Sequence, residues 1–316
     1  MKSWNLRCIA LLAWILAGHL SLFAQPAADK PPLNTLGLET DLRDPSAQPL
    51  SLPTLPLPGA ETAYESETRY APTARPLPEV PRPVERPIVG EAVEATTAGL
   101  TLRGYLTRPS SPPFNGGLLL LPEFWGVNEA TRQRADDFAR YGYRVLVLDF
   151  YDGQPVASRG DAARLMRELD RELTQRRIGA AAQWLSSTSG VRDLPVAIIG
   201  YGLGATLGLH AMTQPDPTPP AVRGLVLFYG ETIAEPGRLE TLGIPIVGFY
   251  ATEDFWVRPE KVAAFDDALT SAGVPHQFFH FDTQTGFGLE PADYRQQGYH
   301  HAANDRILDF LARYLH

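Results

Sequence analysis

From Ile88 onward, short apolar runs alternate with stretches of helical period. Gly117-Leu118-Leu119-Leu120-Leu121-Pro122 is unbroken and too short for a helix, which predicts a strand buried on both faces of a parallel sheet. Arg144 to Phe150 repeats the pattern. So do the run from Val196 to Gly200, Val222 to Tyr229, Ile244 to Ala251 and Gln277 to Phe281. Asn128 is placed to cap a helix running through Ala139, and Asp161 to Leu185 reads as one long helix with Leu165, Leu169, Leu173 and Ile178 along one side. Further helices are expected over Leu203 to Met212 and Glu260 to Ser271, and over Ala302 to Leu315 with Ile307, Phe310, Leu311 and Tyr314 on its apolar face. The domain opens with a predicted antiparallel hairpin, Val89 to Ala95 and Leu100 to Thr107, turning at Thr96-Thr97-Ala98-Gly99. Strands and helices in alternation give the α/β class, a mostly parallel central sheet with helices on both faces.

Before Ile88 the pattern fails. Residues 1–24 carry Lys2 and Arg7 ahead of an apolar run from Cys8 to Ala17, the layout of a signal peptide with cleavage near Ala24-Gln25. Retention as an anchor helix is the alternative, and only then would the chain sit on a membrane. Residues 25–87 hold 14 of the 29 prolines and no hydrophobic period, so they read as a disordered or semi-stiff spacer. Residues 88–316 form the folded domain. The localisation that follows is export, to a periplasm or the extracellular space.

Charge and cysteine narrow the function classes. The formal net charge is -8, and losing Lys2 and Arg7 with the signal takes it to -10, which argues against nucleic acid as a partner. Cys8 is the only cysteine, so the processed chain has no thiol nucleophile, thiolate ligand or disulfide.

In open α/β sheets, sites form beyond the carboxyl ends of strands. The residues there are Glu123 with Phe124-Trp125-Gly126, Asp152, Gly230-Glu231, Glu253-Asp254 and Asp282 to Gly286. The run Val196-Ala197-Ile198-Ile199-Gly200-Tyr201-Gly202-Leu203-Gly204 has the form of a nucleophile elbow, a strand-turn-helix bend that lifts its central residue above the sheet. That central residue is Gly202, which has no side chain.

The order of motifs resembles the dienelactone hydrolase family of α/β-hydrolases. Glu123-Phe124-Trp125-Gly126-Val127-Asn128 is similar to its E-x-x-G-x-N loop, and Gly200-Tyr201-Gly202-Leu203-Gly204 to its G-[FY]-C-x-G elbow. Phe228-Tyr229-Gly230, Ala251-Thr252-Glu253-Asp254 and Thr285-Gly286-Phe287-Gly288 look like the three later landmarks. The resemblance implies an α/β-hydrolase fold and a Cys-His-Asp triad, carried onto Gly202, Thr285 and Asp254. Nucleophile and base are then both replaced, and only Asp254 remains as an acid. Glu123 stays as a pocket acid, and the backbone N–H groups of Leu203 and Phe124 are the oxyanion-hole candidates.

No other group supplies the missing chemistry in an obvious place. His300-His301 reads as a solvated helix start rather than a metal site or a relocated base. His210 and His280 read as packed or surface residues, and Thr206 as a helix-packing residue. Ser158, Ser186, Ser187 and Ser189 fall in a helix cap or a polar loop. A Glu123 and Asp254 carboxylate pair for glycoside chemistry lacks a sugar platform beyond Trp125 and Trp256. The expectation is a binding or scaffolding domain with a small-molecule pocket, no metal and no cofactor, its protein partner unidentified. The alternative is a carboxylic ester hydrolase with a displaced nucleophile or an activated water.

Overall fold

The computed structural model describes residues 64–65, 81–188, 190–191, 193–214, 219–289 and 294–315. The expected signal lies outside them, and so does most of the expected spacer. The strands are β1 (Tyr64–Glu65), β2 (Ile88–Thr97), β3 (Leu100–Pro109), β4 (Gly117–Leu121), β5 (Arg144–Leu148), β6 (Val196–Tyr201), β7 (Val222–Phe228), β8 (Ile246–Ala251) and β9 (His276–Phe281). They form one sheet in the order β1-β9-β8-β7-β6-β4-β5-β3-β2. The six strands from β9 to β5 are parallel, and antiparallel strands close both edges.

The helices are α1 (Glu129–Arg140), α2 (Arg159–Glu168), α3 (Arg171–Ser187), α4 (Leu203–Met212), α5 (Pro236–Leu239), α6 (Pro259–Ser271) and α7 (Tyr294–Tyr314). Their placement follows from the alternation of side chains along each strand. Leu119 and Leu121 face a core shared with Ile178 of α3, Leu207 of α4 and Phe265 of α6. Leu118 and Leu120 face the opposite core, with Phe138 of α1 and Ile307 and Leu311 of α7. Every residue of β4, β5 and β6 is buried, as unbroken apolar runs require.

Three local readings are corrected. The long helix expected from Asp161 to Leu185 is two, because Leu169 is extended and the Asp170 side chain accepts the Leu173 N–H at 2.9 Å, which caps a new helix. The last helix begins at Tyr294, so His300 and His301 lie within it rather than at its start. Residues just before Ile88 are docked: the Val84 N–H donates to the Arg140 carbonyl at 2.6 Å, and Arg86 donates to the Ser111 and Pro113 carbonyls. Asn128 caps α1 as expected, its side chain accepting from the Thr131 N–H while the Thr131 hydroxyl accepts from the Asn128 N–H.

The turn from β6 into α4 leaves no room for a side chain on either side of its tip. A methyl at Gly204 would lie 2.3 Å from the Leu121 carbonyl oxygen, and one at Gly200 would lie 2.5 Å from Ala205 Cα. Both obstructions are backbone, which cannot rotate aside. Gly204→Ala should therefore lower stability by about 3 kcal/mol, read as a shift in the denaturation midpoint at constant slope. Gly237→Ala is the control, since nothing lies within 4 Å of its added methyl.

Candidate functional site

Gly202 has φ +49° and ψ -109°, a backbone geometry that a residue with a side chain enters only with strain. The turn is held all the same. The Gly202 N–H donates to the Phe228 carbonyl at 2.9 Å, and its carbonyl accepts from the Thr206 N–H at 3.0 Å and the Thr206 hydroxyl at 3.1 Å. The same hydroxyl accepts from the Glu231 N–H at 3.0 Å, so Thr206 ties the elbow to the loop after β7 and does more than pack its helix. The space for a side chain is also intact: a methyl at Gly202 would stand 3.6 Å from Glu123 Cγ and 3.8 Å from Tyr229 Cε2, ordinary van der Waals contact.

Two side chains border that space. Tyr229, only 5% exposed and at φ +40°, donates its hydroxyl to Glu123 Oε1 at 2.6 Å. Burial first and the Glu123 charge second hold the phenol well above its ordinary pKa, so Tyr229 stays a donor and keeps a carboxylate oxygen beside the elbow. The Leu203 and Phe124 N–H groups donate to no group among the described residues, which leaves both oxyanion-hole candidates open.

Asp254 is placed otherwise. It is 5% exposed, and its Oδ1 accepts the N–H groups of Trp256 at 2.7 Å and Val257 at 3.0 Å. Among the described residues no imidazole reaches it. The carboxylate braces its own loop, which presents Phe255 and Trp256 at 86% and 80% exposure. Thr285, at the base position, is exposed on the loop after β9. Acid, base position and elbow thus stand at the same end of the sheet without a hydrogen-bonded relay among them.

A buried polar cluster that composition and motif order did not foretell lies on the α1 and α7 side. Arg134, 5% exposed, donates Nε to the Tyr201 hydroxyl at 3.0 Å and Nη2 to Asn304 Oδ1, and its Nη1 lies 3.3 Å from His300 Nε2. Its guanidinium also stands 4.5 Å from the centre of the Phe138 ring. No carboxylate lies within ion-pair distance of it among the described residues. His300 Nδ1 is buried against the Phe287 and Gly288 backbone without a well-formed hydrogen bond. Burial first and Arg134 second push the His300 pKa down to about 4, which makes it too weak a base for neutral pH. The correction to the helix-start reading is therefore structural, since His300 is a part-buried neutral partner of Arg134 while His301 is exposed. The signal in the sequence was Arg134 at an apolar position of α1. No group of three or more metal-ligating side chains occurs among the described residues.

The family model of the dienelactone hydrolase family matches residues 102–315, most of the described sheet and its helices. The chain belongs to the dienelactone hydrolase family. A putative carboxymethylenebutenolidase of Aquifex aeolicus (strain VF5) is 25% identical over 196 residues, covering 60% of this chain and 82% of that protein. Two solved structures share the fold: a putative dienelactone hydrolase of Klebsiella pneumoniae subsp. pneumoniae MGH 78578, and the dienelactone hydrolase-like promiscuous phosphotriesterase P91 from metagenomic libraries. The first has a TM-score of 0.61 at 18% identity over 72% of this chain and 100% of that one. The second has a TM-score of 0.62 at 20% identity over 71% and 98%. Both identities are low enough that the likeness establishes fold alone, an α/β-hydrolase sheet.

The lowered pKa of His300 has a signed consequence. The unfolded chain takes up this proton near pH 6.5 and the native state only near 4, so the native state binds fewer protons in between and stability must rise with pH across that window. The slope from this one group approaches about 1.4 kcal/mol per pH unit mid-window. Unfolding curves of wild type and His300→Gln should therefore converge as pH falls from 6.5 to 4. A constant difference across that range would show that His300 titrates normally in the folded state.

Proposed function

We propose that this family member is a binding or scaffolding domain that does not hydrolyse esters through a Cys-His-Asp triad. The observation carrying the reading is Gly202, which holds the strained elbow conformation with no atom to attack a carbonyl. Support comes from Asp254, whose Oδ1 is engaged by two backbone N–H groups, and from Thr285, whose hydroxyl is no general base near neutral pH. Such a domain keeps Glu123, Tyr229 and the N–H groups of Leu203 and Phe124, which donate to no group among the described residues, around the elbow. These suit a small polar ligand that is held and released unchanged.

One observation favours a second reading. The room for a methyl at Gly202 borders Glu123, a carboxylate beside the elbow, and makes water activation by that acid the form that residual hydrolysis would take. The assay that separates the two uses the purified protein and activated short-chain esters. No turnover above buffer is expected, and no dependence on Glu123→Gln. Saturable turnover that Glu123→Gln lowers by about a hundredfold, the scale of a general base, establishes the hydrolase. Gly202→Cys meets no clash at its Cβ but takes on the strain of φ +49°, about 1–3 kcal/mol, so it should fold with a lowered melting temperature and give no acyl-enzyme burst, because no imidazole meets Asp254 among the described residues.

We propose also that the protein is exported, on the basis of Lys2 and Arg7 ahead of the apolar run in residues 1–24. Amino-terminal sequencing of the protein recovered outside the cytoplasm should begin at Gln25. An intact Met1 on that protein means the segment is kept as an anchor.

A further inference from the structure

The loop from Glu123 to Asn128 has two sides. Glu123 faces the elbow, while Trp125, Val127 and Asn128 line a cavity of 710 Å³ on the side of the β2–β3 hairpin. That volume is in the range of sites for small organic ligands. Its apolar surface comes from Val93, Tyr105, Trp125, Val127 and Val156. The tyrosine is fixed in place. Its hydroxyl donates to Asp136 at 3.0 Å, and its ring crosses β2 where a side chain at Gly90 would stand, since a methyl there would fall 1.9 Å from the Tyr105 oxygen. The opposite wall is fixed as well, because Asp149 accepts the N–H groups of Tyr151 at 2.9 Å and Gly153 at 2.5 Å and so shapes the loop after β5.

The charges lining the cavity are not equivalent. Glu94 is held by Arg103 through two contacts of 3.0 Å, and Arg103 also reaches Asp152 at 3.5 Å. Glu91 lies 3.9 Å from Arg108, and Asp149 is engaged by the backbone of its own loop. Arg132 differs. Its guanidinium stands 5.8 Å from the centre of the Tyr105 ring, and no carboxylate lies within ion-pair distance of it among the described residues. The lining therefore offers one uncompensated cation at the edge of an apolar, aromatic surface.

We infer that this cavity binds an organic anion with an apolar, planar body, its ring against Trp125 and Val127 and its anionic group on Arg132. An exposed guanidinium beside an aromatic face gains a charge-assisted hydrogen bond from such a ligand, while the desolvated body gains the apolar contact. A cationic ligand would meet acids already engaged by arginines or, at Asp149, by backbone N–H groups, and an arginine that repels it. The inference is independent of the function proposed above, since it requires neither turnover nor its loss at Gly202.

The test uses two fluorescent probes with the same ring body, anilinonaphthalene sulfonate and the neutral phenylnaphthylamine, titrated into the full-length protein. The sulfonate should bind about tenfold more tightly, the scale of one charge-assisted hydrogen bond. Arg132→Gln should remove that preference and leave the neutral probe unchanged. Val156→Trp, which fills the cavity without adding charge, should abolish both signals, while Trp256→Ala should alter neither. Unchanged melting temperatures for the three variants confirm that each still folds. Equal affinity for the two probes, a preference that survives Arg132→Gln, or binding lost with Trp256→Ala would each overturn the inference, the last by placing the probes on the exposed Phe255 and Trp256 pair.

Discussion

The contact on which the site depends is backbone against backbone, where the turn from β6 into α4 presses on the end of β4. Leu121 pairs with Gly200 across the two parallel strands, and the Leu121 and Pro122 carbonyls occupy the place where a side chain at Gly204 would go. A helix can follow its strand this abruptly only if nothing projects between them. Glycines at 200 and 204 are thus a geometric requirement of the turn, which is a different matter from the glycine at 202.

At Gly202 there is room for a side chain, and the backbone takes the strained angles that a nucleophile at an elbow would impose. Glycine occupies that conformation at little cost. The surroundings nonetheless keep the turn in place through the Phe228 carbonyl, the Thr206 hydroxyl and the Glu231 N–H. The shape is therefore maintained by its neighbours rather than by the residue at its tip, and a reaction could be lost there without loss of architecture. Asp254 fits the same logic from another direction. Its carboxylate orders a loop through two N–H groups, a role that preserves an acid at this position whether or not an imidazole ever meets it.

Much of this was legible in the sequence. Runs such as Leu118 to Leu121 read as strands buried on both sides, and Asn128 marked a helix start whose reciprocal partner, Thr131, only the structure shows. What stayed hidden depended on distance in space. A carboxylate that caps its own loop and one that orients a base look alike in sequence, so Asp254 was assigned by motif order alone. The break at Asp170 was missed because the apolar period continues through Leu169 while the chain bends. His300 was misplaced because α7 begins at Tyr294, ahead of the apolar stripe from Ile307 onward, and so its burial against Arg134 could not be read from periodicity.

The cavity by the hairpin was beyond the reach of pattern for a related reason. It exists because β2 and β3 fold over the loops that follow β4 and β5, and because Gly90 lets the Tyr105 ring lie across the neighbouring strand. Each lining residue has an ordinary local role in a strand, a loop or a helix. Only their convergence separates Arg132, which meets no carboxylate among the described residues, from Arg103, which meets two. One loop, Glu123 to Asn128, then forms a wall of both the elbow, through Glu123, and the cavity, through Trp125, Val127 and Asn128. That short stretch of backbone is pinned by Tyr151, which donates its hydroxyl to the Phe124 carbonyl at 2.9 Å.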